Sequence, residues 1–119
     1  MSDDKQDFPH SDVSHTIIGG FFDVYNQLGI GFLESVYESA LAIELRIAGL
    51  EAIRQFPITV HFRGHSVGHF KSDLLVNQCV MVEIKRARRL HSRHKAQLYN
   101  ALKATEIELG LLPQFWSQA

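Results

Sequence analysis

Cysteine is almost missing from this chain of 119 residues. The single one, Cys79, excludes an internal disulfide and a zinc site built on several cysteines. No apolar run approaches the roughly 18 residues that a membrane-spanning helix needs. Met1-Ser2-Asp3-Asp4-Lys5-Gln6-Asp7 is acidic and polar, the opposite of what a secretory signal is expected to show. Internal repeats and low-complexity tracts are absent too. What is left is ordinary for a globular chain: 45% hydrophobic and 21% charged residues rule out disorder and collagen-like architecture. One domain with a single modest core is expected, in a cytoplasmic protein without a membrane partner.

Acidic residues are scarce in one half and basic residues in the other, although the net charge is only −1. Residues 1–51 carry nine acids against Lys5 and Arg46, a net of −7. Residues 52–105 carry ten bases against two acids, a net of +8. That asymmetry points to a polyanionic partner for the second half. The two acids inside it, Asp73 and Glu83, stand out.

Residues 1–12 read as a flexible polar tail and 13–119 as the domain. Val13, Ile17, Phe21, Val24, Tyr25 and Leu28 recur at three and four residues, which predicts a helix. Gly29-Ile30-Gly31 interrupts it. A second helix follows, with Leu33, Val36, Tyr37, Ala40, Leu41 and Leu45 as its buried stripe and Gly49 as its stop. Ile53 to Phe62 alternates as a strand, broken early by Pro57, and Arg63-Gly64-His65 is a turn. Ser66 to Val76 and Val80 to Lys85 are the next strands. His91 or Ser92 opens a helix from about Arg93 to Ala104 with Leu98 and Leu102 inward. Ile107 to Leu112 is a final strand ended by Pro113.

If Val76 opposes Val80 across Asn77-Gln78-Cys79, then Asp73 opposes Glu83, and Lys85 shares their face. Leu74, Val76, Val80, Val82 and Ile84 then form an apolar layer on the other face. A loop of two residues would put Asp73 opposite Val82 instead, so the register is decisive. Two convergent carboxylates suit a hard divalent cation, Mg²⁺ or Mn²⁺, and a neighbouring lysine suits a phosphate or an attacking water. The plainer alternative for acids opposite bases is a cross-strand ion pair. Lys85 to Lys95 holds six of the chain's twelve basic residues, and Arg86, Arg88, Arg89, Arg93 and Lys95 are the expected phosphate contacts.

Gly31-Phe32-Leu33-Glu34-Ser35-Val36-Tyr37 spells G-x-x-E-x-x-Y. Downstream stand Asp73-Leu74-Leu75-Val76, Val82-Glu83-Ile84-Lys85, His94-Lys95-Ala96-Gln97-Leu98 and Leu102-Lys103-Ala104-Thr105. In this order the motifs resemble the GxxExxY protein family, a small branch of the PD-(D/E)XK nuclease superfamily, from about Ser14 to Leu112. The resemblance implies an α/β fold, a restriction-endonuclease-like αβββαβ core with a mixed four-stranded sheet flanked by helices and an extra N-terminal helix. It also implies a metal held by Asp73, Glu83, the backbone carbonyl of Ile84 and Glu34, with Lys85 and Gln97 completing the catalytic set. The chain departs from its relatives at Asp23, at His91-Ser92, at Pro113-Gln114-Phe115, and at Ala101, where a tyrosine is usual.

Several of these residues have a structural alternative. Glu34 in a first helical turn also complements the helix dipole, worth about 0.3–1 kcal/mol. Gln97 can bond backbone at a helix surface, and Tyr37 belongs to the buried stripe. His61, His65, His69, His91 and His94 match no firm zinc spacing and read as neutral surface residues. Cys79 has no base beside it to make a nucleophile. The expected function is a metal-dependent phosphodiesterase acting on nucleic acid, DNA favoured over RNA, with room for a homodimer. The alternative is an inactive nucleic-acid-binding or protein-interaction module that keeps the fold.

Overall fold

The computed structural model describes residues 10–86 and 91–115. Helix α1 spans Ser11–Leu28 and α2 spans Glu34–Ile47. Strands β1 (Ala52–Phe62), β2 (His65–Val76) and β3 (Val80–Val82) follow, then helix α3 (Ser92–Thr105) and strand β4 (Leu109–Leu111). The order is the expected one. The sheet runs β1-β2-β3-β4, antiparallel through β3, with β4 parallel to β3.

The helix α1 starts at Ser11, inside the segment expected to be tail, and most of that segment (residues 1–9) lies outside the described residues. Ile17, Gly20 and Val24 form its buried stripe. Gly20 sets how closely α1 meets α2: a Cβ there would stand 3.3 Å from Leu41 Cδ1 and Leu45 Cδ2. The helix α2 ends as expected at Gly49, in the left-handed region at φ 91°. Leu50 N–H donates to Leu45 O and Gly49 N–H to Arg46 O, the paired bonds of a Schellman stop.

The stripe expected on α2 is partly corrected. Tyr37, Leu41 and Leu45 are buried, but Leu33 is 65% exposed and Val36 also faces out. Leu33 is the residue before the helix, with extended backbone, so the helical period does not govern it. Glu38 and Ala42 are buried instead.

Two apolar layers sandwich the sheet. Leu74, Val76, Val80, Val82 and Ile84 pack beneath α1 and α2, as the alternation predicts. On the opposite face Met81 and Ile58 pack against Leu98 and Ala101 of α3. Ala101, where the resemblance leads to an expectation of tyrosine, is a core position with no exposure.

Pro57 does not break β1, which is continuous through it; β1 is the edge of the sheet, where a missing donor is tolerated. Arg63 and Gly64 alone make the turn, both at positive φ, and His65 already pairs with Phe62. The third and fourth strands are shorter than expected, because the ladders end at Val82 and Leu111. Pairing nevertheless resumes past Pro113: Lys85 N–H donates to Pro113 O at 3.0 Å, and Phe115 N–H donates to Lys85 O at 2.9 Å. Proline lacks only the donor, so its carbonyl continues the ladder. The extension seats Phe115 in the core, stacked on Tyr37 at 3.9 Å. No helix among the described residues is long and apolar enough to cross a membrane.

Candidate active site

Val76 pairs with Val80, and the β2–β3 ladder runs through Leu75–Met81 to Leu74–Val82. Asn77 and Gln78 take the positive φ values that close this connection, and Cys79 N–H bonds Val76 O. The next position on each strand is Asp73 and Glu83, as the three-residue connection predicts. There the regular ladder stops. Asp73 Oδ2 accepts the Ile84 N–H at 2.7 Å, so a side chain takes over a strand donor and the strands part. Glu83 N–H turns the other way, to Leu111 O.

Asp73, Glu83 and Lys85 form the floor of a cleft of about 890 Å³. The hairpin of β1 and β2 is one wall, through His61, Phe70 and Lys71. Helix α3 is the other, through His94, Gln97, Asn100 and Lys103. These α3 positions recur every three residues, on a different stripe from Leu98 and Ala101.

Burial drives the Glu83 carboxyl up from its ordinary 4.5 to about 7, and the negative charge of Asp73 adds to it. The Asp73 backbone N–H and the Lys85 ammonium pull the other way without prevailing. Below about pH 7 Glu83 is therefore mostly protonated in the metal-free protein. Partial burial, followed by nearby Lys85, Arg93 and His91, lowers the His94 pKa, and Glu34 pulls it back. Glu34 therefore lies within electrostatic reach of the cleft.

It does not line the cleft, however. Glu34 Oε2 accepts the backbone N–H of Arg86 at 2.8 Å, and Arg86 Nη1 donates to Phe32 O at 3.2 Å. Tyr37 donates from its hydroxyl to Gly29 O at 2.6 Å and accepts the Phe32 N–H at 3.3 Å. The glutamate and tyrosine of G-x-x-E-x-x-Y thus tie the glycine loop to the backbone just after Lys85. Ile84 buries its side chain beneath the helices. Gln97 lines the cleft, whereas Arg93 and Lys95 are exposed on α3 outside it. Arg88 and Arg89 lie outside the described residues. Among the described residues, the lysines and arginines that line the cleft are Lys71, Lys85 and Lys103.

Glu38 is a feature that periodicity could not supply. It is buried in α2, with Arg54 Nε on Oε2 at 2.8 Å and Gln55 Nε2 on Oε1 at 2.7 Å. Consecutive strand residues normally point to opposite faces. Both reach one carboxylate because Gln55 sits at φ 53°. In a regular strand, Gln55 would stand beside Asp73 on the cleft face. The left-handed turn removes it from there.

The donor set fits a hard divalent cation. Among the described residues no three His, Cys, Asp or Glu side chains converge on one point. Mg²⁺ ordinarily takes one or two carboxylates and completes its shell with water and substrate phosphate, which is what this floor offers.

No curated protein and no solved structure gives a significant match to this chain. A family model does, over residues 11–119, nearly the full length and every element described above. With its α-βββ-α-β order, its mixed sheet and its acidic pair on the second hairpin, the chain belongs to the PD-(D/E)XK nuclease superfamily.

Proposed function

We propose that this domain hydrolyses phosphodiester bonds of nucleic acid with the help of Mg²⁺ or Mn²⁺. The reading is carried by one observation: Asp73 and Glu83, each one residue past the last β2–β3 pair, both line an open cleft that also contains Lys85. Asp73 and Glu83 would hold the ion, with the Ile84 carbonyl as the backbone ligand. A divalent cation there supplies Lewis acidity toward a phosphoryl oxygen and a lowered pKa for a water.

The chain's own groups do the rest. Asp73 is fixed by the Ile84 N–H, which leaves its other oxygen for ligation. Lys85, held through both its N–H and its C=O by the Pro113–Phe115 segment, orients the attacking water or neutralises charge growing on the phosphate. Lys71 and Lys103 on the two walls attract the flanking phosphates. Gln97 donates to a phosphate or base from α3. Glu34 acts through Arg86 N–H, fixing the backbone beside Lys85. DNA remains the favoured substrate over RNA.

Incubating the protein with labelled DNA and RNA in Mg²⁺ tests this. Cleavage should appear in the wild type and fall by about 100-fold or more in Lys85→Ala. Cleavage that persists in Lys85→Ala, or none with any substrate, contradicts the reading.

A further inference from the structure

The β1–β2 pair is much longer than the sheet that supports it. Pairing continues from Phe56–Ser72 out to Phe62–His65, whereas β3 covers only the Leu74–Val76 end of β2. Seven residues of β1 therefore extend about 23 Å as a two-stranded arm. Such ribbons are marginal in water by themselves. This one nevertheless exposes Phe62 at 61%, Val67 at 60% and Phe70 at 37%.

The cleft under the arm offers more than phosphate chemistry. Lys71 and Lys103 suit phosphates, but Phe70 and His61 add rings, and Gln97 and Asn100 add amides. At its rim the Tyr99 ring lies 5.4 Å from Nζ of the cleft-lining Lys103. Rings serve base faces, which are free only where a strand is unpaired. The volume, about 890 Å³, is within the range of roughly 300–1,000 Å³ typical of small-ligand pockets. That leaves room for an unstacked nucleotide between the arm and α3.

We propose that the substrate is an unpaired nucleic-acid strand, gripped between the β1–β2 arm and α3. Phosphates contact Lys71 and Lys103, and bases stack on Phe70 and on the Tyr99 rim. The inference rests on the acidic floor being the hydrolytic centre described above.

Fluorescence anisotropy without divalent metal, using labelled oligo-dT, oligo-U and a blunt duplex of about twelve nucleotides, tests it. An unpaired strand should bind about tenfold or more tightly than the duplex. The stronger of the dT and U probes assigns DNA or RNA. Phe70→Ala and Tyr99→Ala, both at exposed rings, should each weaken strand binding about fivefold or more and leave duplex binding unchanged. Duplex bound as tightly as strand, or both ring variants binding strand like wild type, overturns the inference. Cleavage of duplex and strand alike in Mg²⁺ overturns it too, while leaving the hydrolytic reading intact. Ring-dependent strand binding with no cleavage in Mg²⁺ or Mn²⁺ overturns the hydrolytic reading and keeps the interface.

Discussion

Gln55 reaches behind the sheet to Glu38, although the flanking pairs Arg54–Leu74 and Phe56–Ser72 would set a regular strand residue there opposite Asp73 on the cleft side. One left-handed residue thus clears the space beside a candidate ligand and at the same time helps satisfy a buried carboxylate. Removing that carboxylate leaves Arg54 and Gln55 without their acceptor and opens a gap in α2. Glu38→Ala should lose about 3 kcal/mol in urea unfolding. A loss under about 1 kcal/mol would show that the cluster does not hold β1 to α2.

The raised pKa of Glu83 has a stability consequence in the metal-free protein. In the unfolded chain this carboxyl ionises near 4.5, whereas the native state keeps the proton to about 7. Between those values the unfolded state binds fewer protons, so raising the pH lowers stability. The contribution from Glu83 is fully present below about 4.5 and is lost as the pH passes about 7. Urea midpoints across this window should fall in the wild type and flatten in Glu83→Gln. Equal slopes for the two proteins would contradict the assignment.

The register of the second hairpin was legible because a connection of three residues fixes which side chains oppose, and the apolar alternation on Leu74, Val76, Val80 and Val82 allowed no slip. The motif around Glu34 and Tyr37 was legible as a pattern, but its work was not: both side chains bond backbone to hold a loop. The bend at Gln55 left no trace, since a left-handed glutamine is chosen by its tertiary partner. Of the α3 wall only Gln97 was legible, and that through the family resemblance rather than through period. Apolar period identifies the buried stripe through Leu98, while His94, Gln97 and Asn100 share only an ordinary polar spacing. The basic run drew attention to Arg93 and Lys95, which lie outside the cleft. Among the described cleft cations, Lys71 and Lys103 come from elements outside that run or beyond its end.

Tyr37→Phe keeps the ring stacked on Phe115 and removes only the hydroxyl that ties Gly29 and Phe32. The loss should be about 1–2 kcal/mol, a fall of about 4 °C or more in melting temperature. An unchanged melting temperature would mean that the loop holds without it.

Gly110 in β4 faces Leu98 so closely that a Cβ would stand 2.9 Å from three of its side-chain carbons. Gly110→Ala should cost about 1–3 kcal/mol by pushing α3 off the sheet. Because α3 is a cleft wall, strand binding should weaken with it. A variant as stable as the wild type would refute this packing.

Calorimetric titration of Mn²⁺ into the metal-free protein tests the central claim most directly. The wild type should show a saturable site, and Asp73→Ala should lose it while keeping the wild-type circular dichroism spectrum. Saturable binding that survives in folded Asp73→Ala, or no saturable binding to the wild type, would contradict the claim that Asp73 and Glu83 together hold a divalent cation.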